Sequence, residues 1–349
     1  MLRVSVLQLS VAALVGSGVD SRAEPSPWTQ PVSASAATAA TAATDSWSTD
    51  TLNIDFATYN PLSLIIKDQG WLEEATDGKV KINWVQSAGS SAANQALKAG
   101  AIDIGSTAGS AALLARANGS PIKTVDIYSQ PNWAALLVPA GSSIKKVSDL
   151  EGKSIAAAKG TDPYFFLLQA LEEADVPLSS VTVQNLAHAD GKLALESGKV
   201  DAWAGLDPLL SASVVNAGSK IIFDKPSFNS YGFLNATETF LDAHPDVVQL
   251  VVDAYEKARA YAIENPEETS TILATVAGID PKIATSVIED RTALDIDPVP
   301  GKKQTAVLKI IGPIFVDSGD VANQQLIDDA LKSLFDTTFA KKADPSLIG

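Results

Sequence analysis

The sequence predicts an α/β protein built of two related lobes, and three observations carry that reading. Past residue 50, short strand-like patterns alternate with helix-like ones, the way a mainly parallel sheet is written. One unit of eight residues recurs 98 positions further on. After residue 235 the pattern is almost wholly helical.

In chain order, Leu52, Ile54 and Phe56 alternate with Thr51, Asn53 and Asp55, which predicts a strand, and Pro61 sits where a first helical turn accepts it. Val80, Ile82 and Trp84 repeat the strand pattern, with Ser90 or Ser91 as N-cap of a helix that Gly100 closes. Ala96-Leu97-Lys98-Ala99-Gly100-Ala101-Ile102-Asp103 is echoed by Ala194-Leu195-Glu196-Ser197-Gly198-Lys199-Val200-Asp201. Each reads as helix end, glycine C-cap and a short strand, followed by a new helix start. The apolar run at 134–140 predicts one crossing between lobes, and Tyr231–Asn235 the return. Spacing such as Val248, Val251, Val252 and Tyr255 predicts helices near 240–264, 267–277, 281–290, 303–318 and 323–335, covering the first lobe. Lobe 1 is therefore expected at 51–138 and 236–349, and lobe 2 at 139–235.

Ahead of the folded part, residues 1–23 combine an early Arg3, an apolar run from Val4 to Gly16 and small residues at Ser21 and Ala23. That is the pattern of a secretory signal, too short for the ~20 residues of a membrane span. Residues 24–50 shift to Ala, Thr, Ser and Pro and are expected to be a disordered linker.

Length 349 suits two lobes with cores of their own. Cysteine is absent, which excludes disulfides, thiolate metal sites and thiol nucleophiles. With 26 basic against 41 acidic residues, net −15, nucleic acid and anionic membranes are unfavoured partners. Catalysis has no visible machinery: there is no P-loop, Gly-x-Gly-x-x-Gly or His-Glu-x-x-His pattern. Neither an enzyme, a metal nor a cofactor is expected.

Taken in order, Ser143-Ile144-Lys145-Lys146-Val147-Ser148-Asp149-Leu150-Glu151-Gly152-Lys153-Ser154-Ile155, then Lys159-Gly160-Thr161, Val200-Asp201-Ala202-Trp203 and Asp207-Pro208 resemble a known family. It is that of the periplasmic substrate-binding proteins of ABC importers for aliphatic sulfonates, taurine and nitrate, with their thiamine-precursor-binding relatives. The resemblance covers roughly residues 51–290. It implies a type II, two-lobed fold with two crossing strands, a ligand held in the cleft and closure on binding. It also implies a permease as partner.

In open parallel sheets, ligands gather beyond the carboxyl ends of the strands, where helix N-termini offer free N–H groups to an oxyanion. The loops so placed are Tyr59-Asn60, Ser87-Ala88-Gly89, Thr107-Ala108-Gly109-Ser110 and Gly160-Thr161-Asp162-Pro163-Tyr164. Hydroxyls of Thr107, Ser110 and Thr161 either donate to ligand or only cap helices. Trp133, Trp203, Tyr59 and Tyr164 are candidate cleft walls, with core packing the competing reading. Asp162 and Asp207 each precede a proline, a pairing that helix capping explains without ligand. His188, with Asp190 two residues on, is a candidate ligand contact and makes a poor metal site. Of five arginines none lies between Arg116 and Arg259, so the second lobe has no guanidinium clamp.

The expectation is a monomeric, exported solute-binding protein that takes a small anionic organic solute, an aliphatic sulfonate of taurine type, to ABC permease transmembrane subunits. A pyrimidine or other nitrogenous solute stacking on Trp133 or Tyr164 is the alternative within the class. A secreted enzyme on the same scaffold is the alternative outside it.

Overall fold

The computed structural model describes residues 46–349, which fall within one compact unit; the expected signal and most of the linker lie outside these residues. The first part of the chain runs β1 (Thr51–Phe56), α1 (Pro61–Gln69), α2 (Trp71–Ala75), β2 (Lys81–Gln86), α3 (Ser90–Lys98), β3 (Ile104–Ala108), α4 (Gly109–Ala117) and β4 (Ile122–Pro131). The middle runs β5 (Ala134–Val138), β6 (Ser154–Ala157), α5 (Asp162–Glu173), β7 (Thr182–Asn185), α6 (His188–Glu196), β8 (Ala202–Leu206), α7 (Leu209–Ala217) and β9 (Lys220–Phe223). The last part runs β10 (Gly232–Thr237), α8 (Glu238–Ala243), α9 (Pro245–Glu264), α10 (Pro266–Ala277), α11 (Pro281–Arg291), β11 (Thr292–Ala293), α12 (Lys302–Asp317) and α13 (Gln324–Ser333).

Two sheets result. The first has strand order β11-β4-β10-β3-β1-β2, with β1 parallel to β2 and β3; the second has order β7-β6-β8-β5-β9, with β6 parallel to β7 and β8. Strand β5 runs antiparallel to both β8 and β9. The chain therefore passes between sheets at 131–134 and 223–232. The first passage precedes the expected crossing at 134–140, because Ala134–Val138 finds ladder partners on both sides within the second sheet. Along β5, Ala134, Leu136 and Val138 face the larger core while Ala135 and Leu137 join a smaller cluster with Trp203 and Leu195. That alternation is the pleat of a strand buried on both faces.

The repeated unit is the same structure twice. Gly100 and Gly198 take φ of +68° and +69°, ending α3 and α6 in the left-handed conformation a glycine adopts without strain. Asp103 Oδ2 then accepts the backbone N–H of Asn53 at 2.8 Å, and Asp201 Oδ2 that of Ser154 at 2.8 Å. Each aspartate thereby ties its own strand to the neighbouring parallel strand.

The helical end follows the expected spacing, with one break. Pro245 lacks an N–H and restricts the residue before it, so 240–264 is split at His244 into α8 and α9. These helices cover more than the first lobe: α12 also packs on α5, where Phe315 meets Phe165 edge-on at 4.3 Å between ring centroids. The larger core consequently runs through both sheets. Among the described residues, no helix is long and apolar enough to cross a membrane.

Candidate functional site

The first turn of a helix carries N–H groups with no partner inside the helix, so the fate of these donors decides where an anion can be held. At three helices they are spent on the protein. Asn60 Oδ1 accepts Ser63 N in α1 (3.3 Å); Gly109 N and Ser110 N of α4 donate to Tyr231 O and Ser230 Oγ; Ser211 N of α7 donates to Asp207 Oδ1 (3.0 Å). At α3, α5 and α6 no side chain caps the helix.

Those three uncapped ends line a single cavity of about 260 Å³. From the first sheet come Ala88, Gly89 and Ser91 at the start of α3; from the second come Lys159, Thr161, Ala187 and His188 at the starts of α5 and α6. Gly89 has φ +151°, and a Cβ there would lie 3.0 Å from the His188 ring, so the two sheets' loops touch at this glycine. Lys159 is the one cationic side chain of the lining. Gly160 lies just outside, in an adjoining groove with Ser91 and Gln95.

Most other sequence candidates are engaged by the protein itself. Thr161 lines the cavity, but its hydroxyl donates to Ala158 O at 2.6 Å. Thr107 Oγ1 donates to Ala108 O and accepts from Asn235 Nδ2; Ala108 N donates to Ser90 Oγ. Tyr59 donates to Ser106 O and packs edge-on to Trp133; Asn60 Nδ2 donates to Tyr255 Oη. Tyr164 packs on Phe165, and Trp203 is fully buried in the smaller core. None of the four aromatic candidates lines the cavity.

The carboxylates near the strand ends are saturated by protein donors. Asp162 accepts from Ser110 Oγ and Ser230 Oγ at 2.5 Å, Trp133 Nε1 at 2.8 Å and Ser230 N at 2.9 Å. Its side chain therefore joins α5 to α4 and to both passages between the sheets, which neither capping nor ligand contact anticipated. Burial pushes its pKa up. Asp55, at the end of β1, accepts Ser106 N at 2.8 Å, and burial raises its pKa to about 7. Ser87 is buried beside it. Asp207 caps α7 and also pairs with Arg291 Nε at 2.5 Å; burial raises its pKa in spite of that partner. Arg291 escaped the sequence reading because it arrives from the far end of α11, 84 residues away in sequence.

His188 is 4% exposed, and neither ring nitrogen has a hydrogen-bond partner. Burial lowers its pKa to about 4, so the imidazole is neutral here. Among the described residues no group of three or more His, Asp or Glu is placed to hold a metal.

A model of the family described as "NMT1/THI5 like" matches residues 63–269. Two curated relatives share the name "Putative aliphatic sulfonates-binding protein". That of Escherichia coli (strain K12) is 29% identical over 240 residues, 68% of this chain and 75% of the relative. That of Bacillus subtilis (strain 168) is 29% identical over 289 residues, 80% and 84% respectively. Among solved structures, the periplasmic aliphatic sulphonate binding protein SsuA from Escherichia coli is 25% identical, with a TM-score of 0.71 over 83% of this chain and 93% of that one.

Proposed function

This chain belongs to the NMT1/THI5-like family, and on that premise we propose that it is an extracytoplasmic solute-binding protein of an ABC importer that captures a small aliphatic sulfonate. The observation that carries the reading is the cavity at which α3, α5 and α6 all present uncapped N-termini, one from the first sheet and two from the second. Backbone amides and helix dipoles there supply donors to an oxyanion, chiefly at α3 and α6, because in α5 Pro163 has no N–H and Tyr164 N donates to Thr161 O; Lys159 of the lining adds charge. A sulfonate suits such a site because it accepts hydrogen bonds at three oxygens and stays ionised at any physiological pH. A ligand that touches both sheets stabilises the closed arrangement by its differential contacts alone. The lobes would be 51–131 with 232–349 and 134–223, moving about the two passages, with residues 1–23 as export signal and a permease as the receiving partner.

The names of the curated relatives support the same ligand class. A stacked pyrimidine finds no Trp, Tyr or Phe wall in the cavity. Within the cavity, His188 makes no hydrogen bond to any hydroxyl, so no serine or threonine there has a base in contact.

Native mass spectrometry of the purified protein for co-purified solute, followed by calorimetry with taurine, alkanesulfonates, nitrate and pyrimidines, tests the reading. Stoichiometric, unreacted binding of a sulfonate supports it. Preference for a pyrimidine, or release of a product, rejects it.

A further inference from the structure

His188, a buried titratable group whose ring nitrogens have no hydrogen-bond partner, sits at a contact between the two sheets. From that contact between Gly89 and His188 we infer that the protein carries a pH-sensitive latch: the cleft closes on the neutral imidazole and is held open by the imidazolium. The inference rests on the reading that the two lobes open and close.

The geometry is specific. His188 opens α6 in the second lobe, and its Cδ2 and Nε2 lie 3.0 Å from where a Cβ of Gly89, in the first lobe, would stand. Both ring nitrogens are buried without a hydrogen-bond partner. Closing therefore strips water from a group that nothing in the protein rehydrates, a cost far larger for the charged form than for the neutral one. The surroundings add no anion to hold a proton. The uncapped ends of α3 and α6 present their positive dipole ends to the ring, and Lys159 is a cation. From α3 come Ser91 and Gln95, from β7 Asn185, and from the start of α5 Thr161, all neutral. Asp162, next to Thr161, is turned away and saturated by Ser110, Ser230 and Trp133. On its own helix, Asp190 lies two residues on, and Lys192 pairs with Glu196.

The sign follows from linkage. An exposed histidine titrates near 6.5 and the closed one at about 4, so below pH 6.5 the open form binds a proton that the closed form refuses. A sulfonate keeps its charge throughout, so ligand protonation does not mimic the effect. Capture should weaken about tenfold between pH 7.5 and pH 5.5, and further toward pH 4.

Two readouts test this separately from ligand identity. The full sequence has no cysteine, so dyes at Lys98→Cys and Lys199→Cys report the distance between lobes without ligand. Acidification from pH 7.5 to 5 should lengthen that distance, and His188→Gln and His188→Leu should each abolish the response. Calorimetry of whichever sulfonate binds should show the tenfold loss in the parent and a flat profile in the same variants. Gly89→Ala, which crowds the ring and strains the backbone at φ +151°, should weaken capture at every pH while His188, left intact, keeps the parent's pH slope; a flat profile there would also count against the latch. A distance that ignores pH, a response that survives in His188→Gln, or tighter capture at acid pH overturns the inference. Failure of every sulfonate to bind while the distance still responds would reject the ligand and keep the latch.

Discussion

Helices α4 and α6 each begin at or close to the carboxyl end of a parallel strand, yet their first turns have opposite fates. At α4 the chain folds back on itself: Ser230 Oγ and Tyr231 O take the N–H groups of Ser110 and Gly109, and a Cβ on Gly109 would lie 2.3 Å from Ser230 O. At α6 the N-cap position is Ala187, which has no capping side chain, and Ala187 and His188 line the cavity. Which helix starts lack a side-chain cap is thus decided by the caps a chain omits. The self-capped ends supply rigidity where the two sheets are joined.

The largest effect should come from giving α6 the cap it lacks. Ala187→Asp places a carboxylate over the free amides, and we expect capture of an anionic solute to fall at least 100-fold (about 3 kcal/mol), while melting temperature holds or rises as for an added N-cap. Calorimetry and differential scanning on the same sample check both halves; undiminished binding would move the site away from α6.

Next, Asp55 probes the saturated carboxylates. Its pKa is raised from 3.8 to about 7 by burial, so the folded state holds a proton that the unfolded state releases, and stability drops as pH rises through that window. We expect about 2.5 kcal/mol less stability at pH 8 than at pH 5 from this group, and a flatter urea-midpoint profile for Asp55→Asn. A parent profile without that slope would show the carboxyl to be solvated.

Ser230→Ala should uncap α4 and remove one of the four donors to Asp162, costing about 1.5 kcal/mol in denaturant melts. Affinity for sulfonate should stay within a few-fold; a large loss would place the ligand at α4 instead. The smallest effect is expected from Thr161→Ala, under ~1 kcal/mol in affinity, because that hydroxyl already donates to Ala158 O. A greater loss measured by calorimetry would mean the hydroxyl turns to the ligand on binding.

Much of this organisation was written in the sequence. Apolar alternation located β1 and β2, proline and glycine bounded the helices, and the echo at Ala96 and Ala194 marked two copies of one strand-and-helix unit, down to the aspartate that ties each to its neighbour. These are local signals, readable because dihedral preference and burial period act over a few residues. The loops at strand ends were legible as a set for the same reason. Which of them remained open was not, because that depends on what arrives from far along the chain. Ser230 reaches Ser110 across 120 residues, Arg291 reaches Asp207 across 84, and His188 meets Gly89 from the other sheet. Composition and periodicity determined an acidic, cysteine-free α/β chain; only tertiary packing decided which helix starts were capped by the protein and which were left without a side-chain cap.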